Sequence, residues 1–563
     1  MHIDFRQGSK LNQELLPLFN SIAAESREKY NKIIHESSLP VSNDVHWWAE
    51  NVSSRNTYTC PLFHLICCIE LTTELEKSKY EIQTILVDSR ELKKILKVNF
   101  SKYLANTEIL YKPHFSVRLK QIFLPLYYEW FLFHRLIRLF YTKLFLIKTK
   151  FNEQEYVLID TFISSSFANE DRWYGDFWSS LNPNQKEEIF FVPTIVDQDI
   201  RSFIKILKSL ENSERKTIIK EEFLKVADIF YAYTHKFKKK KLLLGKSFLG
   251  KIDTSDLVKE CYLNNRDVFS LLEAILTYNF TKNLSETGIN IKLSIDWFEG
   301  HPVDKLWNLG IYRHFEGVKI LAYQTFRSFP YYLSNYPIPI EVESKVVPEN
   351  FAVQGHACKR FVKEFCPDLS VNAVPAFKNL YLWDEHEPQV NSSILVAFPI
   401  SHNTSLDILN SLIKSNRLLN RDDIEFILKP HPTVEPKSLL SALDLKLPEN
   451  FIFTKENSFP SLILESSLLI TEASSVCLES FALGKPVIVV QSNTGLTYDP
   501  IPDDIPQELF RRSHDDDSLS EAIIHFANLN LAQRASLVNF GKDIKSKYFE
   551  PISTSGIDLF LNH

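Results

Sequence analysis

LLITEASSVCLESFALGKPVIVV, residues Leu468 to Val490, is the stretch whose reading decides the fold. An apolar run ends at Thr471 and Glu472, Ser474 and Ser475 follow, an amphipathic segment leads to Gly484, and a second apolar run starts at Pro486. A strand, a short helix opened by serines, a glycine stop and a new strand make one β-α-β unit, which belongs to a parallel sheet.

The same alternation continues on both sides. Upstream stand the strand-like runs SILVAFPI (Ser393 to Ile400), IEFILKP (Ile424 to Pro430) and FIFT (Phe451 to Thr454), with helical spacing near 404–415 and 436–442. Downstream, DDDSLSEA (Asp515 to Ala522) reads as a capped helix start. An earlier series comprises IQTILVD (Ile82 to Asp88), YVLIDTFI (Tyr156 to Ile163), EIFFVPTIV (Glu188 to Val196), INIKLSIDWFEG (Ile289 to Gly300), VKILAYQTF (Val318 to Phe326), NFAVQG (Asn350 to Gly355) and VNAVPAF (Val371 to Phe377). The acidic stretch from Leu380 to Val390 reads as a linker.

The sequence therefore predicts an α/β protein with two doubly wound, Rossmann-like domains facing a cleft, the arrangement called GT-B, plus extra N-terminal helices. Residues 1–380 form the first domain, 391–545 the second, and 546–563 a tail that crosses back. A chain of 563 residues is long enough for two cores.

Composition narrows the function. A net charge of −6 and a pI near 6.3 argue against general nucleic-acid binding. Seven cysteines without a Cys-x-x-Cys pair suggest neither a disulfide framework nor a zinc site, and fit a reducing cytoplasm. The start MHIDFRQGSKLNQELL lacks a basic stretch before an apolar core, so no secretory signal is expected. From Gln121 to Lys150 the chain is aromatic and apolar, but Glu129, Arg135, Arg138 and Lys143 interrupt it before the roughly 20 residues of a spanning helix accumulate. Two readings stand: a packed helix pair with snorkelling cations, or a helix on the inner face of the cytoplasmic membrane with its basic side toward anionic lipid, helped by HKFKKKK (His235 to Lys241).

The candidate chemistry sits at strand ends, where parallel sheets hold ligands. FILKPHP (Phe426 to Pro432) fixes His431 between two prolines, each locking φ, and places Lys429 just before it. A histidine so placed can donate to a phosphate oxygen; alternatively it is a turn residue satisfied by backbone. The serine-opened helix offers capping hydroxyls, and its amino end attracts anions. Glu479, one turn on, suits ribose hydroxyls or is a solvated helix carboxylate.

KPHP (Lys429 to Pro432) followed by TEASSVCLESFALGKPVIVV resembles the paired His-Pro and Ser-Ser motifs of GT-B glycosyltransferases that build bacterial surface polysaccharides. These include sialyl- and polysialyltransferases and Kdo transferases of capsule assembly, with teichoic-acid glycerophosphotransferases more distant. The resemblance covers roughly the last 170 residues. It implies that His431, Ser474 and Ser475 hold a donor phosphate; Lys429, Pro432, Thr471, Glu472 and Glu479 complete the set of candidate donor-binding residues. More loosely, DTFI, WFEG, AYQ and VPAF resemble surface-carbohydrate biosynthesis proteins of unassigned chemistry.

Transfer to a hydroxyl needs a base, placed in the first domain opposite the nucleotide. Glu299 is preferred because it follows a strand end in an aromatic, glycine-containing loop; Asp160 is second, with Asp296, Glu170, Asp171 and Arg172 as neighbours. Tyr323, Gln324 and Arg327 are candidates for sugar contact. No Asp-x-Asp closes a strand of the second domain, so neither metal nor cofactor is expected beyond the nucleotide-sugar itself.

The expected function is transfer of a sugar, in the resemblance a CMP-activated nonulosonic acid or Kdo, to a glycan or lipid-linked acceptor. CDP-polyol phosphotransfer and a non-catalytic scaffold are the alternatives.

Overall fold

The computed structural model describes every residue except 147, 166, 169–170, 266, 326–328, 385–392, 420–422, 432–433, 444, 455–457, 494 and 563, and the side chains of 116–117 and 417–419. Two of the sequence candidates, Arg327 and Pro432, and the neighbouring Glu170 lie outside the described residues.

The strands are β1 (His2–Asp4), β2 (Thr84–Val87), β3 (Glu108–Tyr111), β4 (Glu155–Ile163), β5 (Ile189–Ile195), β6 (Phe248–Leu249), β7 (Ile252–Asp253), β8 (Asn290–Trp297), β9 (Lys319–Gln324), β10 (Asn350–Val353), β11 (Ser370–Ala373), β12 (Ser393–Ala397), β13 (Glu425–Lys429), β14 (Phe451–Phe453), β15 (Leu468–Thr471), β16 (Val487–Val490) and β17 (Phe510–Ser513). Two parallel six-stranded sheets dominate, in the orders β11-β10-β9-β8-β4-β5 and β14-β13-β12-β15-β16-β17. This is the doubly wound pair that the alternating sequence predicts. Strand β5 is apolar but for Thr194 and wholly buried, and β4 is buried over most of its length, as parallel strands covered on both faces require.

One strand goes elsewhere. Ile82 to Asp88 reads as the opening of the first large sheet, yet β2 pairs only with β1 and β3, in a separate three-stranded parallel sheet. Its outer strands are three and four residues long, too short for alternation to register in sequence.

The tail past Tyr548 returns to the first domain. Glu550 N donates to Gln354 O at 2.7 Å, Ala376 N donates to Glu550 O at 2.9 Å, and the helix Thr554–Leu561 seats Phe560 against Tyr323 and Phe377.

The aromatic segment is one helix, Phe115–Phe145, and its polarity is inverted relative to both sequence readings. Arg135 and Arg138 face inward, with Arg135 paired to Glu221 at 3.3 Å and to Glu273. Phe115, Ile122, Leu126, Phe133, Leu144 and Phe145 are left at 61–75% exposure. Partners on neighbouring helices draw the cations in, so the outward face is apolar rather than basic. No described helix is long and apolar enough to cross a membrane.

Candidate active site

Each large sheet reverses its strand order once. In the second sheet the reversal falls between β12 and β15, and in the first between β4 and β8. Crevices at the carboxyl ends of such strand pairs are where doubly wound sheets hold ligands. The loops after β4 and β8 carry Arg172 and Glu299; those after β15 and the adjacent β13 carry Ser474, Ser475 and His431.

The β8 loop, Phe298 to His301, is built around Asp304. Its Oδ2 accepts from Glu299 N at 2.9 Å and His301 N at 3.0 Å. Gly300 sits at φ +70, and a Cβ there would lie 1.9 Å from Ser334 O, so only glycine lets the loop close. Glu299 then accepts from Trp297 Nε1 and His301 Nε2, both at 2.9 Å, while its side chain stays 21% exposed. Burial alone would raise the Glu299 carboxyl, but the hydrogen bonds from His301 and Trp297 and the imidazolium charge hold it below the usual range. The counterpart is His301, which burial would lower and which Glu299 and Asp304 raise to about 9. The pair rests as carboxylate and imidazolium.

The β4 loop is held by Asp171, whose Oδ1 accepts from Trp173 N and Tyr174 N and whose Oδ2 pairs with Arg215 at 2.7 Å. Asp171 is therefore a loop anchor rather than a base. Gly175, at φ +50, lets this loop approach the backbone of Phe377 and Lys378. Between the anchors Arg172 is offered to the cleft. Enclosure lowers its guanidinium, which Glu299 opposes.

Across the cleft, His431 is half-buried after β13. Burial, then the charge of Arg172, pushes its imidazole down to about 4, so at neutral pH it offers a neutral N–H. Ser475 occupies the N-cap of the helix Val476–Ala482 but makes no side-chain capping hydrogen bond, so the capping role that its position suggests is not what its hydroxyl does. Glu472, 4% exposed, is raised by burial to about 8 against the pull of the Tyr498 backbone N–H.

Lys378 is exposed to solvent, and the carboxylates of Glu479 and Glu299 favour its charge while Arg172 opposes it. Tyr58 stacks on Tyr498 at 4.6 Å and meets Tyr332 at 5.2 Å, joining the two halves at one side. Sequence reasoning missed His301, Lys378 and these tyrosines. A signal for His301 existed: Gly-His-Pro after Glu299 echoes the Pro-His-Pro at His431.

Several candidates are corrected. Asp160 is fully buried and clustered with Asp296 and Asp304; burial raises it to about 8, with Lys220 Nζ at 3.9 Å opposing. No acceptor can reach it. Asp296 is equally buried and donated to by Asn308. These three carboxylates are a group among the described residues that could hold a cation, and they lie beneath the loop rather than in the cleft. Tyr323 is fully buried among Tyr174, Trp297 and Phe560, with its hydroxyl on Pro375 O at 3.2 Å, and Gln324 is buried and donates to Asn335 O. Both support the site from behind and are not sugar contacts. Thr471 is also fully buried, its hydroxyl on Ala397 O at 2.7 Å. Glu479 accepts from Tyr381 at 2.5 Å, which ties the second domain to the segment Phe377–Trp383.

No family model matches the chain, and no curated protein is significantly similar to it in sequence. Among solved structures, it is similar to a putative UDP-N-acetylglucosamine 2-epimerase from Listeria monocytogenes, at 12% identity over 72% of this chain and 95% of that one, TM-score 0.44. It is also similar to S. aureus MnaA in a co-structure with UDP (12% identity, 73% and 97% covered, TM-score 0.42) and to the spinosyn rhamnosyltransferase SpnG complexed with thymidine diphosphate (10% identity, 72% and 99% covered, TM-score 0.38).

Proposed function

We propose that the protein is a glycosyltransferase that takes a sugar from a nucleotide donor held by the second domain and passes it to a hydroxyl held by the first. The observation that carries this reading is the facing of two sheet crevices of different chemistry, the ionised Glu299 with Arg172 on one and the neutral His431 with the serine-opened helix on the other. The donor phosphate would sit among His431, the Ser474 and Ser475 hydroxyls and Arg172, with Lys429 and Lys378 adding positive charge. Glu472 is largely protonated at neutral pH, so it does not repel a phosphate there. Such fixed donors stabilise charge as it develops on the leaving phosphate. Glu299, kept ionised by His301, accepts the acceptor proton as the hydroxyl attacks the anomeric carbon. The motif resemblance narrows the donor to a CMP-activated acidic sugar.

A peripheral membrane site is part of the proposal. Lys236, paired with Glu129 at 3.1 Å, joins the helix Phe115–Phe145 to a neighbouring segment with exposed Phe230 and Phe237 and the lysines Lys240 and Lys241, and with the apolar outer face of that helix this suits an anionic bilayer surface. A lipid-linked acceptor would meet the enzyme there. Cosedimentation with vesicles of phosphatidylcholine, with and without phosphatidylglycerol, checks this: binding should need the anionic lipid and weaken in Phe133→Ser.

The transfer reading is tested by incubating the protein with CMP-, CDP- and UDP-linked donors and following nucleotide release with and without glycan acceptors. Acceptor-dependent release of one nucleotide is expected. Release of none, or transfer of a polyol phosphate from CDP-glycerol, would overturn it.

A further inference from the structure

A cavity of about 560 Å³ lies away from the donor side, at the carboxyl ends of β2 and β3. Its walls come from the small sheet (Asp88, Tyr111), the loop before the helix Leu62–Lys77 (Tyr58), the helix Phe115–Phe145 (Lys120, Tyr127) and the start of the helix Val268–Ser285 (Phe269). A parallel sheet followed by a helix would ordinarily offer a phosphate site at that helix's amino end. Here the position is taken. Glu260 accepts from Arg90 N at 2.9 Å, from Glu91 N at 3.3 Å and from the Ser89 hydroxyl, so a protein carboxylate fills the place of an anion.

The rest of the lining repeats that exclusion. Among the described lining residues Lys120 is the one cation, against Asp88, Glu260 and Asp267, and the remaining polar groups are uncharged, chiefly Asn51, Asn264 and Gln121. Aromatic faces at Tyr58, Tyr111, Tyr127 and Phe269 among amide donors and acceptors suit the apolar faces and hydroxyls of sugars. The volume falls within the range of small-ligand pockets.

Ring contacts link the cavity wall to the candidate active site. Its wall residue Tyr58 stacks on Tyr498 of the second domain and meets Tyr332, whose hydroxyl lies 3.5 Å from His301 Nε2. On the other side, Lys120 and Tyr127 belong to the helix whose outer face is apolar.

We propose that this cavity is the acceptor subsite and that it takes an uncharged oligosaccharide, not an acidic glycan or a nucleotide. The assignment of the sugar as acceptor rests on the transferase reading above; the binding of a neutral saccharide does not.

Saturation-transfer NMR on the full chain, without donor, separates the two. The probes are chitobiose, lactose and maltotriose, against a sialic acid trimer and inorganic phosphate, in the wild type, Tyr127→Ala, Asn264→Ala and His431→Ala. At least one neutral saccharide should bind, with affinity reduced at least tenfold in Tyr127→Ala and Asn264→Ala and unchanged in His431→Ala. Binding by none of the neutral sugars, binding indifferent to both cavity substitutions, or a preference for the sialic acid trimer or phosphate that those substitutions remove would overturn the proposal. Nucleotide titration of the same samples reports on the donor side independently. Saccharide binding without nucleotide binding would leave the cavity standing as a carbohydrate site and remove the transferase reading.

Discussion

The two crevices that face each other differ in how their side chains are held. On the first domain, Glu299 is fixed by Trp297, by His301 and through its backbone by Asp304, and Arg172 is flanked by an aspartate locked to Arg215. On the second domain Ser475 leaves its helix uncapped by its side chain, and Glu472 sits raised and poorly compensated. Glu299 is held in place by its own neighbours, whereas the Ser475 hydroxyl caps nothing in its helix. A rigid base and a ligand-completed cradle are what group transfer requires, because misplacement of the reacting groups by even an ångström is costly.

Substitution breaks this contrast most sharply at Glu299. Glu299→Gln should lower kcat by about 10²–10⁴-fold, the usual worth of a general base, while nucleotide affinity stays near wild type. His431→Ala should lower kcat by about 10²–10³-fold, as for loss of one fixed donor to developing charge, and should also weaken nucleotide binding. Equal effects of both variants on nucleotide affinity would erase the distinction between the crevices.

Backbone comes next. Gly300→Ala forces a Cβ onto Ser334 O at a left-handed φ, so we expect a loss of about 1–3 kcal/mol in denaturant unfolding, with activity falling as Glu299 shifts. The charge pair then sets a pH dependence. His301 has its folded pKa raised to about 9, so its own contribution to stability is complete below about 6.5, the ordinary histidine value, and is lost as pH rises through about 9. A pH profile of activity should show an alkaline limb near 9 that His301→Gln abolishes. The smallest effect is at Ser475. With no capping bond to lose, Ser475→Ala should change stability by less than about 0.5 kcal/mol while weakening nucleotide binding.

The sequence made the large sheets legible because buried parallel strands are largely continuous apolar runs, and β5 and β15 carry that signal with only Thr194 and Thr471 breaking it. It did not reveal the third sheet, whose β1 is only three residues, nor β17, whose Arg511 and Arg512 interrupt the apolar pattern. Within the site, His431, Glu299 and the serines were readable from strand-end position. Tyr323 and Thr471 were misread because position along the chain says where a strand ends but not which face the last side chain takes, and both point into packed interior. The stacked Tyr58 and Tyr498 depend on segments 440 residues apart in sequence meeting in space, and Lys378 depends on the segments that carry Glu299 and Glu479; no local pattern encodes that. The inversion of Phe115–Phe145 was hidden for the same reason: its burial is decided by Glu221 and Glu273 on other elements.

The account turns on a nucleotide completing the second crevice. Isothermal titration of CMP, CDP and UDP into the wild type and His431→Ala tests this directly. The expected result is saturable binding of one nucleotide to the wild type, weakened at least tenfold in the variant. No binding of any nucleotide, or equal affinity in wild type and variant, would contradict it.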